Sequence, residues 1–405
     1  MLQKFFFIFA ILLALAYHAF FRNFLFTFIG IGRELQQVED FAYKCHRLEH
    51  PSLSSCEDLW LDEEHRTLYA ACGDMPTRIE WLPPANRFNV SGRRKADHIS
   101  VLDIDHPGED GLYGLRHLEV TGNYKGVNRK NDNVLDLHGF GVRKLDGPRL
   151  QFFIINHRPP ISPIDGKVVE NTNVVGANST LEIFELARGS SNLEFVKTIV
   201  NELLIAPNDV AWVEEGHVLV TNDHLSKAGR LHQLQSFYGS GNLVSCNIGS
   251  GKCHPVASKG FSFANGVVQG HDGLIYVSHF ITGIITVYKF LSDGRLVPVD
   301  TIDLQTPLDN MYVDSEGSLF VPGLPKVLHV FKALGTGEMV NIPSTVFRIR
   351  NLGDSQKRQF EVRKVLEDGD GRVLPGSTAV VHDVKTRRLF LGGVGSPFIT
   401  VCEST

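Results

Sequence analysis

HRTLYAACGD (65–74), RLQFFIINH (149–157), EGHVLVTND (215–223), DGLIYVSH (272–279), EGSLFVPG (316–323) and RRLFLGGVG (387–395) are six versions of one element. Each is a turn signal followed by an apolar strand with an aromatic or β-branched centre. The copies recur over roughly 360 residues, about 60 residues apart, and no sustained 3.6-residue periodicity lies between them. That period belongs to repeat architectures, and strands of this kind predict an all-β chain. An irregular β-sandwich with chance spacings is the competing reading.

The register within the copies is tighter than the spacing between them. Asp58, Asp209, Asn265 and Asp309 each lie 11 residues before a strand centre, at Tyr69, Val220, Tyr276 and Phe320 respectively. Two copies are looser, with His138 15 residues before Phe153 and Ser377 13 before Phe390. Polar residues at a fixed offset before equivalent strands predict a radially repeated sheet. Six four-stranded blades around a channel would bring those positions to one end of the axis. The expected fold is therefore a six-bladed β-propeller preceded by an N-terminal hydrophobic helix.

The converging residues are Glu57-Asp58, His138, Asn208-Asp209, Asn265 and Asp309-Asn310. Carboxylates and amide carbonyls without a thiolate match a hard cation of high, flexible coordination, which favours calcium over zinc or magnesium. Singly, each Asx is a common turn or cap residue. In APNDVAWV and TPLDNMYV, however, the polar pairs sit inside strand-like apolar sequence, where burial without a partner or ion is costly. Neighbouring side chains on a strand point to opposite faces. One residue of each pair is thus expected at the open mouth and the next deeper, as two stacked calcium ions would require. His138 in VLDLHGFG and His157 in FFIINHRP end or interrupt apolar strands of one repeat. Two imidazoles brought together there could act as a base and its partner. Two ordinary satisfied histidines is the plainer alternative.

Composition narrows the function classes. Apolar residues are 43% and charged residues 21%, so neither a disordered chain nor a polytopic membrane protein is expected. Lys plus Arg number 40 against 45 Asp plus Glu, for a net charge of -5, which leaves nucleic acid without its usual basic footprint. FFFIFAILLALAYHAFF (5–21) follows Lys4 and precedes Arg22. Set against a buried core helix, which the lack of a polar face disfavours, it reads as a retained membrane anchor or as a secretory signal with Ala14-Leu15-Ala16 near the cleavage site. Both readings send the rest of the chain into the secretory pathway, and Asn89-Val90-Ser91 and Asn178-Ser179-Thr180 are glycosylation sequons. The expected domains are 1–32 as signal or anchor helix, 33–44 as linker and 45–405 as a propeller closed by its two ends. Cys45 and Cys402 lie at those ends and suggest a ring-closing disulfide. Cys246 and Cys253 could bridge across a hairpin or be free buried thiols, and the status of Cys56 and Cys72 stays open.

At this point the residues resemble the serum paraoxonase/arylesterase family. The resemblance rests on CEDLWLDEEHRTLY (56–69), LHGFG (137–141), IINH (154–157), APNDVAWV (206–213), TNDH (221–224), FSFANGV (261–267), LDNMYVDSEGSLFV (308–321), LPGSTAVV (374–381) and VCE (401–403). It implies a six-bladed propeller that hydrolyses lactones and aryl esters with two calcium ions in its tunnel. Carried over, Glu57, Asn208, Asn265, Asp309 and Asn310 would bind the catalytic ion. Asp58, Asp209 and the backbone carbonyl of Phe140 would hold the structural one. His138 would be the general base with His157 as partner, Cys45 and Cys402 the terminal disulfide, and the N-terminus an anchor to a membrane or lipid surface. Gly323 and Leu324 replace the family's unpaired cysteine and following histidine, and AACGDMPTRIEWLPPANRF (70–88) departs from its lid, which usually supplies an aromatic. The resemblances that compete are to sugar-lactone hydrolases, to strictosidine-synthase-like enzymes, and to a non-catalytic anchored calcium-binding propeller.

Overall fold

The computed structural model describes residues 7–9, 11, 14, 17 and 21–405, except 94–96, 127–133, 163, 214–215, 230–231, 236, 238, 240, 292–293, 338–340 and 354–357. Most of the apolar run 5–21 thus lies outside the described residues. Among those described, no helix is long and apolar enough to cross a membrane.

Six antiparallel sheets account for nearly every strand. Their innermost strands are Asp58–Asp62, Leu137–Lys144, Pro207–Val213, Ala264–Gln269, Tyr312–Val313 and Ala379–Asp383. Each contacts the next, and the sixth returns to the first, so the sheets close into a six-bladed propeller. The second strand of every blade is one of the six repeated elements. The second blade gains a fifth strand at its rim, Glu119–Thr121, which runs parallel to Asn192–Ile199.

The core is six wedges, one between each pair of blades. Alternation along a strand explains this, because its two faces serve two neighbours. Phe152 packs toward the first blade with Tyr69 and Ile99, whereas Phe153 packs toward the third with Val210 and Val220. Equivalent wedges separate every other pair.

Chain closure uses both ends. Tyr43–Leu48 supplies the outermost strand of the sixth blade, pairing with Ile399–Ser404. Cys45 stands directly opposite Cys402 in that register, and the two form a disulfide. Cys246 and Cys253 are also cross-strand partners and are bonded, and a third disulfide joins Cys56, just before the first inner strand, to Cys72. The segment 33–44 lies along the propeller. Val38 is buried in the wedge between the fifth and sixth blades, and the Gln36 amide donates to Glu367 Oε2 at 2.7 Å.

Candidate active site at the propeller axis

Four inner strands carry an extra residue where they approach the axis. Asn208 and Asp209 together oppose one residue of the neighbouring strand, and so do Asn265 and Gly266. His138 and Gly139 make the same irregularity in the second blade. In the fifth, Asp309, Asn310 and Met311 face only two residues. A bulge re-aims side chains. Here it lets two consecutive residues both reach the channel instead of opposite sheet faces.

The result is two levels. Glu57, His138, Asn208, Asn265 and Asp309 line a cavity of about 590 Å³ at one end of the axis. Asp58, Phe140 and Asp209 line a separate cavity of about 340 Å³ further along the channel. Glycines make the approach possible. A Cβ on Gly139 would lie 2.5 Å from the Asn208 carbonyl oxygen and 2.8 Å from Asp209 Oδ1. One on Gly266 would lie 2.9 Å from both the Asn310 Cα and the Asp309 oxygen.

In the upper level the acceptors outnumber the donors. Glu57 Oε2, Asn208 Oδ1, Asn265 Oδ1 and Asn310 Oδ1 are buried, and none has a hydrogen-bond donor among the described residues. The amide nitrogens are used. Asn310 Nδ2 donates to Glu57 Oε1 at 2.9 Å, and Asn208 Nδ2 to Asp223 Oδ2 and His138 Nε2, both at 3.2 Å. Each amide is thereby oriented with its oxygen left over. Three of these orphaned oxygens belong to residues that line the cavity and the fourth to Asn310, bonded to Glu57, and together they form a donor set that a hard cation would satisfy.

The lower level is built differently. Asp58 accepts from the Leu59 and Phe140 amides at 2.8 and 2.9 Å. Asp209 accepts from the Val210 and Val267 amides at 2.7 and 2.8 Å. Each aspartate therefore clamps its own blade to the next while keeping lone pairs free. Burial raises all four axial carboxyls, Asp58 and Asp309 to about 7, and Glu57 and Asp209 well above the carboxylate range. Repulsion from the neighbouring carboxylates adds to the rise for Glu57 and Asp209. A bound divalent cation would reverse that repulsion.

The His138 and His157 rings are 5.1 Å apart at 49°. His138 Nε2 faces the axial cluster, 3.8 Å from Glu57 Oε1. His157 Nδ1 meets Ser179 Oγ at 2.9 Å. His138 Nδ1 and His157 Nε2 are the ring nitrogens left unpartnered among the described residues. Burial depresses both basicities, His157 to about 4 and His138 well below its usual value, so both rings are neutral at pH 7.

Several contributors left no signal in the spacing. Thr378 Oγ1 donates to the Glu57 carbonyl at 2.8 Å, which places Thr378 rather than Ser377 at the cavity. Ser179 and Asp223 act through His157 and Asn208, and Asp223 stands in the TNDH stretch. The divergent segment 70–88 does fold over the site. Its Trp81 is turned away from the cavity, with Nε1 donating to the His157 carbonyl at 2.8 Å, while Leu82, Pro84 and Arg87 line the cavity. The aromatic lining comes from Phe24, Phe28, Phe237, Phe263, Phe280 and Phe331 instead. Elsewhere Asp62, Glu64 and His65 converge at a blade edge, but Arg188 at 2.6 Å and Lys144 at 3.7 Å already balance Asp62. Of the two sequons, Asn89 is exposed on the folded-over segment and Asn178 is half-buried where a strand begins.

A closed propeller with an acceptor-rich axial cavity beside a paired imidazole defines a propeller enzyme. Comparison with known proteins narrows the class. The arylesterase family model matches residues 165–400. The chain is 31% identical over 321 residues to serum paraoxonase/arylesterase 1 of Homo sapiens, covering 78% of this chain and 82% of the relative. Its counterpart in Mus musculus is 26% identical over 326 residues, with the same coverage. Among solved structures, a luciferin-regenerating enzyme superimposes with a TM-score of 0.48 at 13% identity, covering 89% of this chain and 95% of that one. The chain belongs to the serum paraoxonase/arylesterase family, and is an enzyme of that family.

Proposed function

We propose that the protein is a calcium-dependent hydrolase of lactones and aryl esters, with its reaction centre in the upper axial cavity. The observation that carries this reading is the group of orphaned acceptor oxygens on Glu57, Asn208, Asn265 and Asn310 beside a neutral histidine pair. Glu57, Asn208, Asn265, Asp309 and Asn310 would hold the catalytic ion. Asp58, Asp209 and the Phe140 carbonyl would hold a second, structural ion that neutralises the two buried carboxylates clamping the blades. Bound calcium supplies Lewis-acid polarisation of a carbonyl oxygen.

The chain's own residues supply the rest. His138 Nε2, directed at the cavity, accepts a proton from the attacking water. The His157 ring lies 5.1 Å from the His138 ring and is held through its Nδ1 by Ser179, so it would serve as the neighbour that supports the charge developing on His138. In the resting site the Asn208 amide nitrogen holds His138 Nε2, a hydrogen bond that the attacking water would displace when Nε2 acts as base, and the Asn208 oxygen is left over. The lid over 70–88 limits water around the developing oxyanion, where fixed dipoles act most strongly. No serine nucleophile is needed, and no GxSxG stretch occurs in the chain.

Three disulfides, the sequons at Asn89 and Asn178 and the apolar start favour passage through the secretory pathway. The half-exposed Phe26 and Ile31 support contact of the N-terminal segment with a membrane or lipid surface. The reading is tested by hydrolysis of a γ-lactone, a δ-lactone and phenyl acetate by the purified full-length chain across a calcium titration. Turnover should rise with calcium and vanish on chelation. Thermal stabilisation by calcium with no turnover of any of the three would assign the ions a structural role alone.

A further inference from the structure

Asp136 and Leu137, the two residues that lead into His138, have every backbone polar group tied down. The Asp136 amide donates to Asn156 Oδ1 at 2.9 Å, and the Asp136 carbonyl accepts from the His157 amide at 2.9 Å. Both partners belong to the neighbouring strand Arg149–Arg158. The Leu137 groups are taken by side chains from elsewhere. Its amide donates to Asp97 Oδ2 at 2.7 Å, and its carbonyl accepts from Arg78 Nη1 at 2.8 Å. Arg78 Nη2 lies 3.1 Å from the same Asp97 oxygen, and the two residues are 3% and 7% exposed. An innermost strand has no ladder partner on its axial side, so buried backbone groups there need such substitutes.

The two side chains arrive from different elements. Arg78 closes the short helix Met75–Arg78 within the segment that folds over the site, and Asp97 immediately precedes the first-blade strand His98–Asp103. Gly73, where that segment leaves the blade, passes so close that a Cβ would fall 2.5 Å from Asp97 Oδ1 and 3.0 Å from Arg78 Nε. The base of the lid therefore encloses the ion pair. A second pair braces the same stretch, as Arg93 Nη2 donates to Asp136 Oδ2 at 2.8 Å. The lid also reaches the other histidine, through the Trp81 bond to the His157 carbonyl. A buried ion pair is a weak source of stability, because desolvation offsets its attraction. This one is directed at the backbone of the residue beside the proposed base.

We propose that Arg78 and Asp97 are positioning residues for His138. One from the lid and one from the first blade, they grip Leu137 by its carbonyl and its amide and so set where His138 Nε2 stands. The inference rests on the hydrolase reading above and adds to it that the lid aligns the base. Neither side chain lines the axial cavity, so both act through the backbone. The need for a grip lies in the bulge. Phe140 pairs with Ile154 and Leu137 with Asn156, and the ladder is irregular between them, where His138 stands. Regular pairing does not fix the ring there, and the hold on Leu137 does. A misplacement of about 1 Å is enough to lower a rate about 100-fold.

The test uses the full-length chain and its Arg78→Met, Arg78→Lys and Asp97→Asn variants, saturated with calcium and assayed on phenyl acetate below their melting temperatures. Arg78→Met removes the donor to the Leu137 carbonyl. It should lower kcat about 100-fold, with KM and calcium affinity changed by about twofold or less. Arg78→Lys restores one donor and should recover about tenfold of that loss. Asp97→Asn keeps an acceptor for the Leu137 amide without the charge that fixes Arg78, and its kcat should fall between the two. These two milder variants preserve the test if the methionine variant folds poorly. A lowered melting temperature with kcat per folded chain unaltered would make the pair structural and overturn the proposal. A matching loss of calcium affinity would assign the pair to the ion site, with the same consequence. Crystal structures of the unaltered chain and the variants read the placement without turnover. Removing the grip should open the 3.2 Å separation of His138 Nε2 and Asn208 Nδ2 by about 1 Å. A ring that stays in place would overturn the proposal. A displaced ring in a chain whose unaltered form hydrolyses neither lactone nor ester would uphold the positioning role, and the hydrolase reading alone would then fail.

Discussion

A buried amide has two ends, and the axial asparagines are informative because only one end of each is satisfied. Asn208 spends its nitrogen on Asp223 and His138, Asn310 spends its own on Glu57, and both oxygens are left over. An unpaired buried acceptor costs about 1–3 kcal/mol, so several in one cavity are hard to explain without a cation. The histidines follow the same logic, because burial keeps them neutral and one ring faces the acceptors. Replacing His138 with Gln preserves an acceptor for Asn208 but removes the base. His138→Gln should therefore lower kcat by about 100-fold or more while calcium still raises the melting temperature. Turnover at the unaltered rate would remove His138 from the chemistry. Loss of the calcium-dependent stabilisation would make it part of the ion site instead.

At the scale of elements, the same residues show what sequence could and could not disclose. The 11-residue offset from Asp58 to Tyr69 or from Asp209 to Val220 is the hairpin between first and second strands, and it was legible because each hairpin is short. Asp58 and Asp209 sit deeper than Glu57 and Asn208 because each is one residue further along an inner strand that runs down the channel. Alternation alone would send consecutive residues to opposite faces of a sheet, and the bulges that turn both into the channel have no composition signature. Ser179, Asp223 and Thr378 were silent for a related reason, as each acts across strands or blades on another side chain or carbonyl. The glycines of LHGFG and FANG are now physical statements about crowding at the axis. Gly139→Ala places a methyl 2.5 Å from the Asn208 carbonyl. It should destabilise the chain by about 1–3 kcal/mol and weaken calcium affinity, since relief requires the second and third inner strands to part. Chemical denaturation with and without calcium measures both. An unaltered calcium dependence would show that the strands can part without disturbing the acceptors.

At the scale of the whole molecule, ring closure and the charge at its centre belong to one energy balance. The sixth blade is assembled from both chain ends, and the Cys45–Cys402 bond spans a sequence separation of 357. In the chain-entropy model, tying so long a loop contributes about 6 kcal/mol. That closure holds Glu57, Asp58, Asp209 and Asp309 together whether or not a cation is bound. Without one, Asp58 and Asp309 titrate at about 7 in the fold against about 4 when unfolded. A raised acid favours the folded state below its unfolded pKa, and that advantage is lost as the pH climbs through 7. The buried histidines have the opposite slope. His157 and His279, lowered to about 4, contribute fully above about 6.5 and lose that contribution only on acidification. Between pH 6.5 and 8.5 these two histidines therefore add no further stability to offset the loss at the axial carboxylates. The chelated chain should lose about 3 °C or more of melting temperature across that window, while the calcium-saturated chain stays level, so the gap between them widens with pH. Differential scanning calorimetry at the two pH values decides the matter. A chelated chain whose melting temperature holds or rises toward pH 8.5 would mean that the axial carboxylates are neutralised by the protein itself, and the case for calcium at the axis would fall with it.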